Sequence, residues 1–481
     1  MSPTRDRNLE IWEQHGGSIL PVMPFLDNVV VRSEGSYLID REGKRILDLA
    51  AGQFCTILGH NHPLFIERLV AELRNNLHTG SQYLTERVFE AAREIVRIAP
   101  PGLDKVTLLS TGSEANEFAL RIAKAFTGRT GVIGIDRGYY GISLATRSLS
   151  AISDGHVDLS PKTPGSYHVM APNCARCPLS LTYPQCGVRC LDVSLRAIGS
   201  NVENVAAIIV ETVISAGGMI FPHPEFFARL RALADDIEAL LIVDEAQTGF
   251  GRCGAWFDCE NLGLRPDILV FSKTSGNGYP SSGVIVPARV VDKLLDQGFH
   301  HLSSHQNDPV TAAAILAVIE IIRKEDLLAR AMANGAYFIE KLHELETRHP
   351  RVWGVRGRGL MIAFELVKDR ESLQPDLDSL TPFVLGCQAR GVHVTYSYYE
   401  GAIRIIPSLN LSREEIDTAI AVFDATLTDL EQNRLDSSRF ANTNAVTRSM
   451  LERSRLRRTL RRLWETSPSY WWQRVRQGRG S

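Results

Sequence analysis

Nowhere in the 481 residues is there a run of about 18 apolar side chains, the length a membrane-spanning helix needs. Residues 1–14 are charged and contain no apolar stretch of the kind that directs export. The cytoplasm is therefore the expected compartment, and disulfides are not expected. An excess of charge of one sign is missing too. Lys plus Arg total 53 and Asp plus Glu total 55, so the net charge of −2 offers no general argument for a nucleic-acid partner. No period of roughly 20–50 residues recurs, which excludes a solenoid or propeller. A complete G-x-G-x-x-G or P-loop pattern is also absent, which disfavours a nucleotide-binding fold.

Cysteine is sparse, at eight residues, yet half of it is concentrated. Cys174-x-x-Cys177 and Cys186-x-x-x-Cys190 fall within the Pro-rich stretch from Pro172 to Leu191. Two readings stand side by side. The cluster is a structural zinc site with an unusually short spacer, or it is a set of free thiols in a surface insertion. Neither gives it a part in chemistry. His60 and His62 also lie close in sequence, but the Pro63 that follows marks a helix start, and both are expected to be structural.

A chain of this length buries a large core and is expected to divide into two domains. Three stretches carry chemistry. Ile268 to Phe271 is a short apolar run that predicts a buried strand, and it ends in Ser272-Lys273 before a Gly/Asn/Pro-rich loop. A lysine at such a place loses water, which favours the neutral, nucleophilic amine. Leu240 to Val243 predicts a second buried strand, ending in the carboxylate of Asp244. Two strands that end in opposite charges point to a parallel sheet with its site at the carboxyl edge. In the third stretch, the strand-like Val106 to Leu109 leads into Ser110-Thr111-Gly112-Ser113-Glu114, which opens a helix to about Phe126. Free backbone N–H groups and hydroxyls at that start suit a phosphate. Pyridoxal 5′-phosphate needs all three features. Its aldehyde bonds a lysine, its ring nitrogen seeks a carboxylate, and its phosphate seeks a helix start.

Asp244-Glu245-Ala246-Gln247-Thr248-Gly249-Phe250-Gly251-Arg252, followed by Ser272-Lys273, resembles the motif of the class III aminotransferases of fold type I. Within that class the chain looks most like the 2,2-dialkylglycine decarboxylase branch, from about Gly16 to Leu427. The resemblance implies an α/β fold with a doubly wound, mixed, mostly parallel seven-stranded sheet in residues 65–310. It also implies a small α+β domain assembled from residues 1–64 and 311–432.

The same resemblance implies a role for each matching residue. Lys273 holds the cofactor and carries protons, and Asp244 faces its ring nitrogen. Thr111, Gly112 and Ser113 hold the phosphate, Tyr139 stacks on the ring, and Glu211 and Gln247 lie beside it. Ser304 reaches the phosphate of a neighbouring subunit, which makes a homodimer with shared sites. Arg404 takes the substrate α-carboxylate and Gln53 sits beside the bond to be broken. No active-site metal is expected. Family members that act on terminal amines carry a gating glutamate where this chain has Ala216. Tyr140 and Thr212 replace a usual His and Pro. The implied reaction moves an amino group from an α-amino acid to a 2-oxo acid. The alternatives are decarboxylating transamination of 2,2-dialkylglycine-type amino acids, and racemisation or epimerisation. The small molecules are the expected partners.

Beyond Gln432 the composition changes. Arg448 to Gly480 holds ten Arg and two Glu, and Leu456, Leu460, Leu463 and Trp464 fall on one helical face. This basic tail, residues 433–481, docks on an anionic membrane surface or a partner, or else packs on its own dimer or frays.

Overall fold

The computed structural model describes residues 7–20, 26, 28–150, 162–397 and 399–435. The basic tail from residue 436 onward lies outside the described residues. A first hairpin is built from β1 (Val30–Glu34), β2 (Tyr37–Asp40) and β3 (Arg45–Asp48), with the Asp-Arg-Glu-Gly turn between the last two. The main sheet then takes β4 (Lys105–Leu109), β5 (Gly131–Ile135), β6 (Ser166–Val169), β7 (Val205–Glu211), β8 (Leu240–Asp244), β9 (Ile268–Ser272) and β10 (Ser282–Val286). Last come β11 (Val352–Arg358), β12 (Met361–Leu366), β13 (Val392–His393), β14 (Thr395–Ser397) and β15 (Ala402–Ile405).

The seven strands run in the order β4-β10-β9-β8-β7-β5-β6. Only β10 is antiparallel to its neighbours. Every residue of β5, β7, β8, β9 and β10 is buried. That is the near-continuous apolar pattern of a sheet covered on both faces. The alternation of side chains divides the core. Ala207, Ile209, Ile242, Val270 and Val284 pack against the helix Gly112–Thr127. Ile208, Val210, Leu241, Val243, Leu269 and Phe271 join the larger core with the helices Pro224–Asp236 and Pro309–Lys324.

Two four-stranded sheets flank this one. β13, from late in the chain, pairs in parallel with β3, so segments from both ends of the chain share a sheet. β11, β12, β15 and β14 form an antiparallel sheet, with Arg404 of β15 opposite Ala363 and Thr395. Helix Pro309–Lys324 is continuous across residues 310 and 311 and packs on Pro63–Asn75 and Glu86–Ile98. Among the described residues no helix is long and apolar enough to cross a membrane.

Candidate active site

The sheet register sets the first pair of groups. Glu211 of β7 stands opposite Asp244 of β8, so two carboxylates lie abreast at the carboxyl edge. One strand over, β9 ends at Ser272 and delivers Lys273, which is half-buried. Lys273 adopts a left-handed φ of 44° at the start of the tight turn Lys273–Gly276. For a lysine this is a strained conformation, and such strain persists only where the surroundings over-determine it. Here buried hydroxyls do so. Thr274 Oγ1 donates to the Gly249 carbonyl (3.2 Å), Ser275 and Ser281 share a 2.6 Å hydrogen bond, and Ser272 Oγ donates to the Ser281 carbonyl (3.0 Å).

Asp244 is 5% exposed and is held from two sides. Asn116 Nδ2 donates to its Oδ2 (2.7 Å) and the Ala246 amide to its Oδ1 (2.9 Å). Burial pushes the Asp244 carboxyl up, while these hydrogen bonds and the Lys273 charge resist it. Glu211 accepts from the Tyr139 amide (2.8 Å). Burial and the neighbouring Asp244 charge push its carboxyl up to about 8.

The helix start supplies a cradle. Thr111 caps the helix by accepting from the Glu114 amide, which leaves the first amides, Gly112 and Ser113, outside the helical ladder. Ser113 Oγ accepts from the Ile142 amide (2.8 Å). Gly141 makes this approach possible, because a Cβ there would lie 2.4 Å from Ser113 Oγ. Gln247, 8% exposed, follows Asp244 by three residues, and its buried Oε1 has no partner.

Arg404 approaches from the antiparallel sheet. Its guanidinium lies 4.9 Å from the Phe54 ring, and its enclosed Nε has no hydrogen-bond partner. Burial pushes its pKa down to about 10, with the Glu211 charge acting against that. Among the described residues no carboxylate forms an ion pair with it. Ala216 offers only its backbone carbonyl, to Ser397 Oγ (2.7 Å). Phe54 reaches Arg404 through a left-handed turn over Ala51, Gly52, Gln53 and Phe54, with φ of 44°, 53°, 63° and 72°. Asp48 fixes that turn by accepting from the Ala50 and Gly52 amides and pairing with His60 (3.0 Å). Gln53 itself is exposed on the turn, and Ser304 is exposed on a surface loop. His60 and His62 each pair with a carboxylate, Asp48 and Glu325 respectively, as structural histidines do.

Several functional neighbours were not foreseen from sequence. Asn116, 1% exposed, is the tether of Asp244, and its other bond is to the Tyr140 carbonyl (2.8 Å). The available signal was a polar residue on the apolar face of a helix. Tyr140 turns away from the site into the core. Its hydroxyl donates to the Ile209 carbonyl and accepts from the Ile135 amide, each at 3.1 Å. Thr212 likewise bonds inward, to Thr248 (3.1 Å). His78, His305 and Asp308 converge so that their ligand atoms lie within 4.8 Å of one another. Residues 78 and 305 are too far apart in sequence to be read as a pair.

Residues 22–427 match the family model for class-III aminotransferases. The chain belongs to that family. It is 32% identical over 410 residues to a 5-aminovalerate aminotransferase of Pseudomonas aeruginosa, covering 84% of this chain and 93% of that protein. It is 29% identical over 411 residues to a leucine/methionine racemase of Thermococcus litoralis, covering 85% and 92% respectively. An amine transaminase from an uncultivated Pseudomonas species, solved in its pyridoxal-phosphate-bound form, superimposes with a TM-score of 0.78 at 29% identity, covering 83% of this chain and 94% of that one. The protein is therefore a pyridoxal-phosphate-dependent enzyme that transfers amino groups. Its residues fit the cofactor: the unpartnered Gln247 Oε1 is a buried polar atom that a polar ligand satisfies, and the Asp244 oxygens keep lone pairs free beyond their two donors.

Proposed function

We propose that this aminotransferase draws its amino group from an α-amino acid and passes it to a 2-oxo acid, with Arg404 binding the α-carboxylate. The observation that carries the proposal is a guanidinium whose buried Nε has no hydrogen-bond partner and which forms no ion pair among the described residues, with Ala216 in place of a gating carboxylate. A half-buried charge of this kind gains from an anion that meets it, and a planar guanidinium matches a carboxylate with two parallel hydrogen bonds.

Bound at this edge, pyridoxal phosphate supplies the electron sink that stabilises negative charge at the substrate Cα. The chain's own residues do the rest. Thr111, Gly112 and Ser113 bind the phosphate at the helix start. Asp244, kept in place by Asn116, holds the proton on the ring nitrogen. Tyr139 covers the ring, with Glu211 and Gln247 at its edge. Lys273 anchors the group, and its freed Nζ then takes the proton from Cα and returns it on the other side of the transfer. Arg404 fixes the carboxylate so that the Cα–H bond faces Lys273.

With Gln53 assigned to a carboxylate that leaves, 2,2-dialkylglycine-type substrates losing CO2 are the second reading. The turn of four consecutive left-handed residues around Gln53 favours it, since such strain clusters at ligand sites. Ser304 completes the site of a second copy in a homodimer. Exposed Leu77, Tyr83, Leu84, Phe89 and Leu302, on segments joined by the His78–Asp308 hydrogen bond, provide the apolar surface for it. Cysteines that are not paired in disulfides suit a reducing compartment such as the cytoplasm.

Ala216→Glu tests the proposal. The new carboxylate pairs with Arg404 and is expected to raise KM for α-amino acids about tenfold, close to 1.4 kcal/mol, with little change in kcat. An unchanged KM for α-amino acids contradicts it.

A further inference from the structure

The four clustered cysteines have no part in the chemistry above, yet the fold brings them together. Cys174 opens a short helical turn, Cys174–Arg176, whose Asn173 cap accepts from the Arg176 amide. Cys177 follows. The chain then reverses: the Ser180 amide bonds the Cys177 carbonyl (3.0 Å) and the Cys186 amide bonds the Thr182 carbonyl (2.9 Å). Gly187 and Val188, both with positive φ, turn it into helix Arg189–Ile198, and Cys190 sits in the first turn of that helix. All four thiols line one cavity between this loop and the side chains of His223 and Phe226. Cys174 is within electrostatic reach of Cys177, Cys186 and Cys190 alike.

The rest of the loop needs a crosslink. From residue 174 to 187 no residue is buried. A segment with no core of its own has little to offset the entropy of ordering it. Even so, it holds Arg176 in a demanding position. The Arg176 guanidinium bonds Glu365 of β12 (2.5 Å) and Glu400 (2.8 Å), reaches the Leu373 carbonyl (3.0 Å) and lies 5.0 Å from the Trp353 ring. Glu400 in turn pairs with Arg137, two residues before Tyr139. The loop thus ties the main sheet to the sheet that carries Arg404.

We propose that Cys174, Cys177, Cys186 and Cys190 bind one zinc ion, a structural site that locks this loop and positions Arg176. Four sulfurs are the donor set of closed, tetrahedral zinc centres, and no open position remains for catalysis. Binding releases the four thiol protons to solvent and involves no change of oxidation state. The short spacer is accommodated because the reversal at residues 178–188 returns Cys186 and Cys190 to the cavity of the first pair. The sulfurs draw in toward the ion on binding. Among the described residues only His78, His305 and Asp308 already have ligand atoms within 4.8 Å of one another, so that trio is the competing site.

The test uses the full-length, cofactor-loaded enzyme purified through a chelator wash, with metals measured by inductively coupled plasma mass spectrometry. About one zinc per chain is expected, released as an organomercurial caps the four cluster thiols, which a disulfide reagent does not reach in the native enzyme. Replacing the zinc with cobalt is expected to give the intense visible bands of tetrahedral cobalt–thiolate coordination. Cys186→Ser loses the metal, whereas His78→Ala keeps it. Should Cys186→Ser fail to fold, the stoichiometry and the cobalt spectrum of the parent enzyme still decide. Absence of zinc with the four cluster thiols reactive, iron in place of zinc, a disulfide within the cluster, or zinc lost from His78→Ala and kept in Cys186→Ser each overturn the proposal.

Discussion

Asp244→Asn removes one negative charge from the most constrained position in the site and changes almost nothing in volume. Asp244 is 5% exposed and receives Asn116 Nδ2 at 2.7 Å and the Ala246 amide at 2.9 Å. An asparagine there presents an NH2 group to one of two donors, so at least one hydrogen bond is lost. Asn116 cannot simply rotate its amide to compensate, because its Nδ2 is also committed to the Tyr140 carbonyl. The hydrogen bond accounts for about 1 kcal/mol. The larger part is the charge, since removing one partner of a buried pair costs about 3–5 kcal/mol. At about 1.4 kcal/mol per decade, kcat/KM is expected to fall roughly 100- to 10,000-fold. Steady-state kinetics at saturating cofactor measure this, with the visible cofactor spectrum as the control for occupancy. Asn116→Ala keeps the charge and loses the hydrogen bonds to Asp244 and the Tyr140 carbonyl, about 2 kcal/mol in all, so it is expected to cost only roughly 30-fold. A loss below about fivefold in fully loaded Asp244→Asn refutes the placement of that carboxylate against the ring nitrogen.

Lys273→Ala is expected to purify folded but without turnover; a rate within about tenfold of the parent, near 1.4 kcal/mol, contradicts its role. Glu211 gives a stability prediction for the cofactor-free protein. Its carboxyl titrates near 8 when folded against an ordinary value of 4.5, so the folded state binds the extra proton. Its stabilising effect is complete below 4.5 and is lost as pH rises to about 8, so the melting temperature falls across that window and Glu211→Gln flattens the fall. Arg404→Lys keeps a charge but not the planar fork, and is expected to weaken α-carboxylate substrates through KM by about 1.5–3 kcal/mol.

The strands that carry the site were legible because apolar runs with charged ends leave little choice. Leu240–Asp244 and Ile268–Ser272 read as buried strands ending in Asp244 and Ser272-Lys273, and the fold has them so. The helix start at Thr111 was legible for a similar reason, since Thr111 is a strong cap before an amphipathic helix. Positions fixed by tertiary contact were not. Asn116 acts through a partner 128 residues away, and sequence spacing carries no trace of that. The left-handed turn at Ala51–Phe54 contains one glycine, so three of its four residues defy local preference and are held by Asp48 instead. Tyr140 stands where a histidine was looked for, and only packing shows that its ring belongs to the core.

The central claim is that Arg404 is open to an α-carboxylate. The most direct measurement compares kcat/KM for alanine, 2-aminoisobutyrate, 4-aminobutyrate and 5-aminovalerate in one assay, following ketone, CO2 and the cofactor spectrum, in the parent and in Arg404→Ala. The account predicts that the α-amino acids are preferred and that Arg404→Ala abolishes the preference. CO2 and acetone from 2-aminoisobutyrate identify the decarboxylating branch. Preference for 4-aminobutyrate and 5-aminovalerate, with alanine inert and Arg404→Ala without effect, contradicts it.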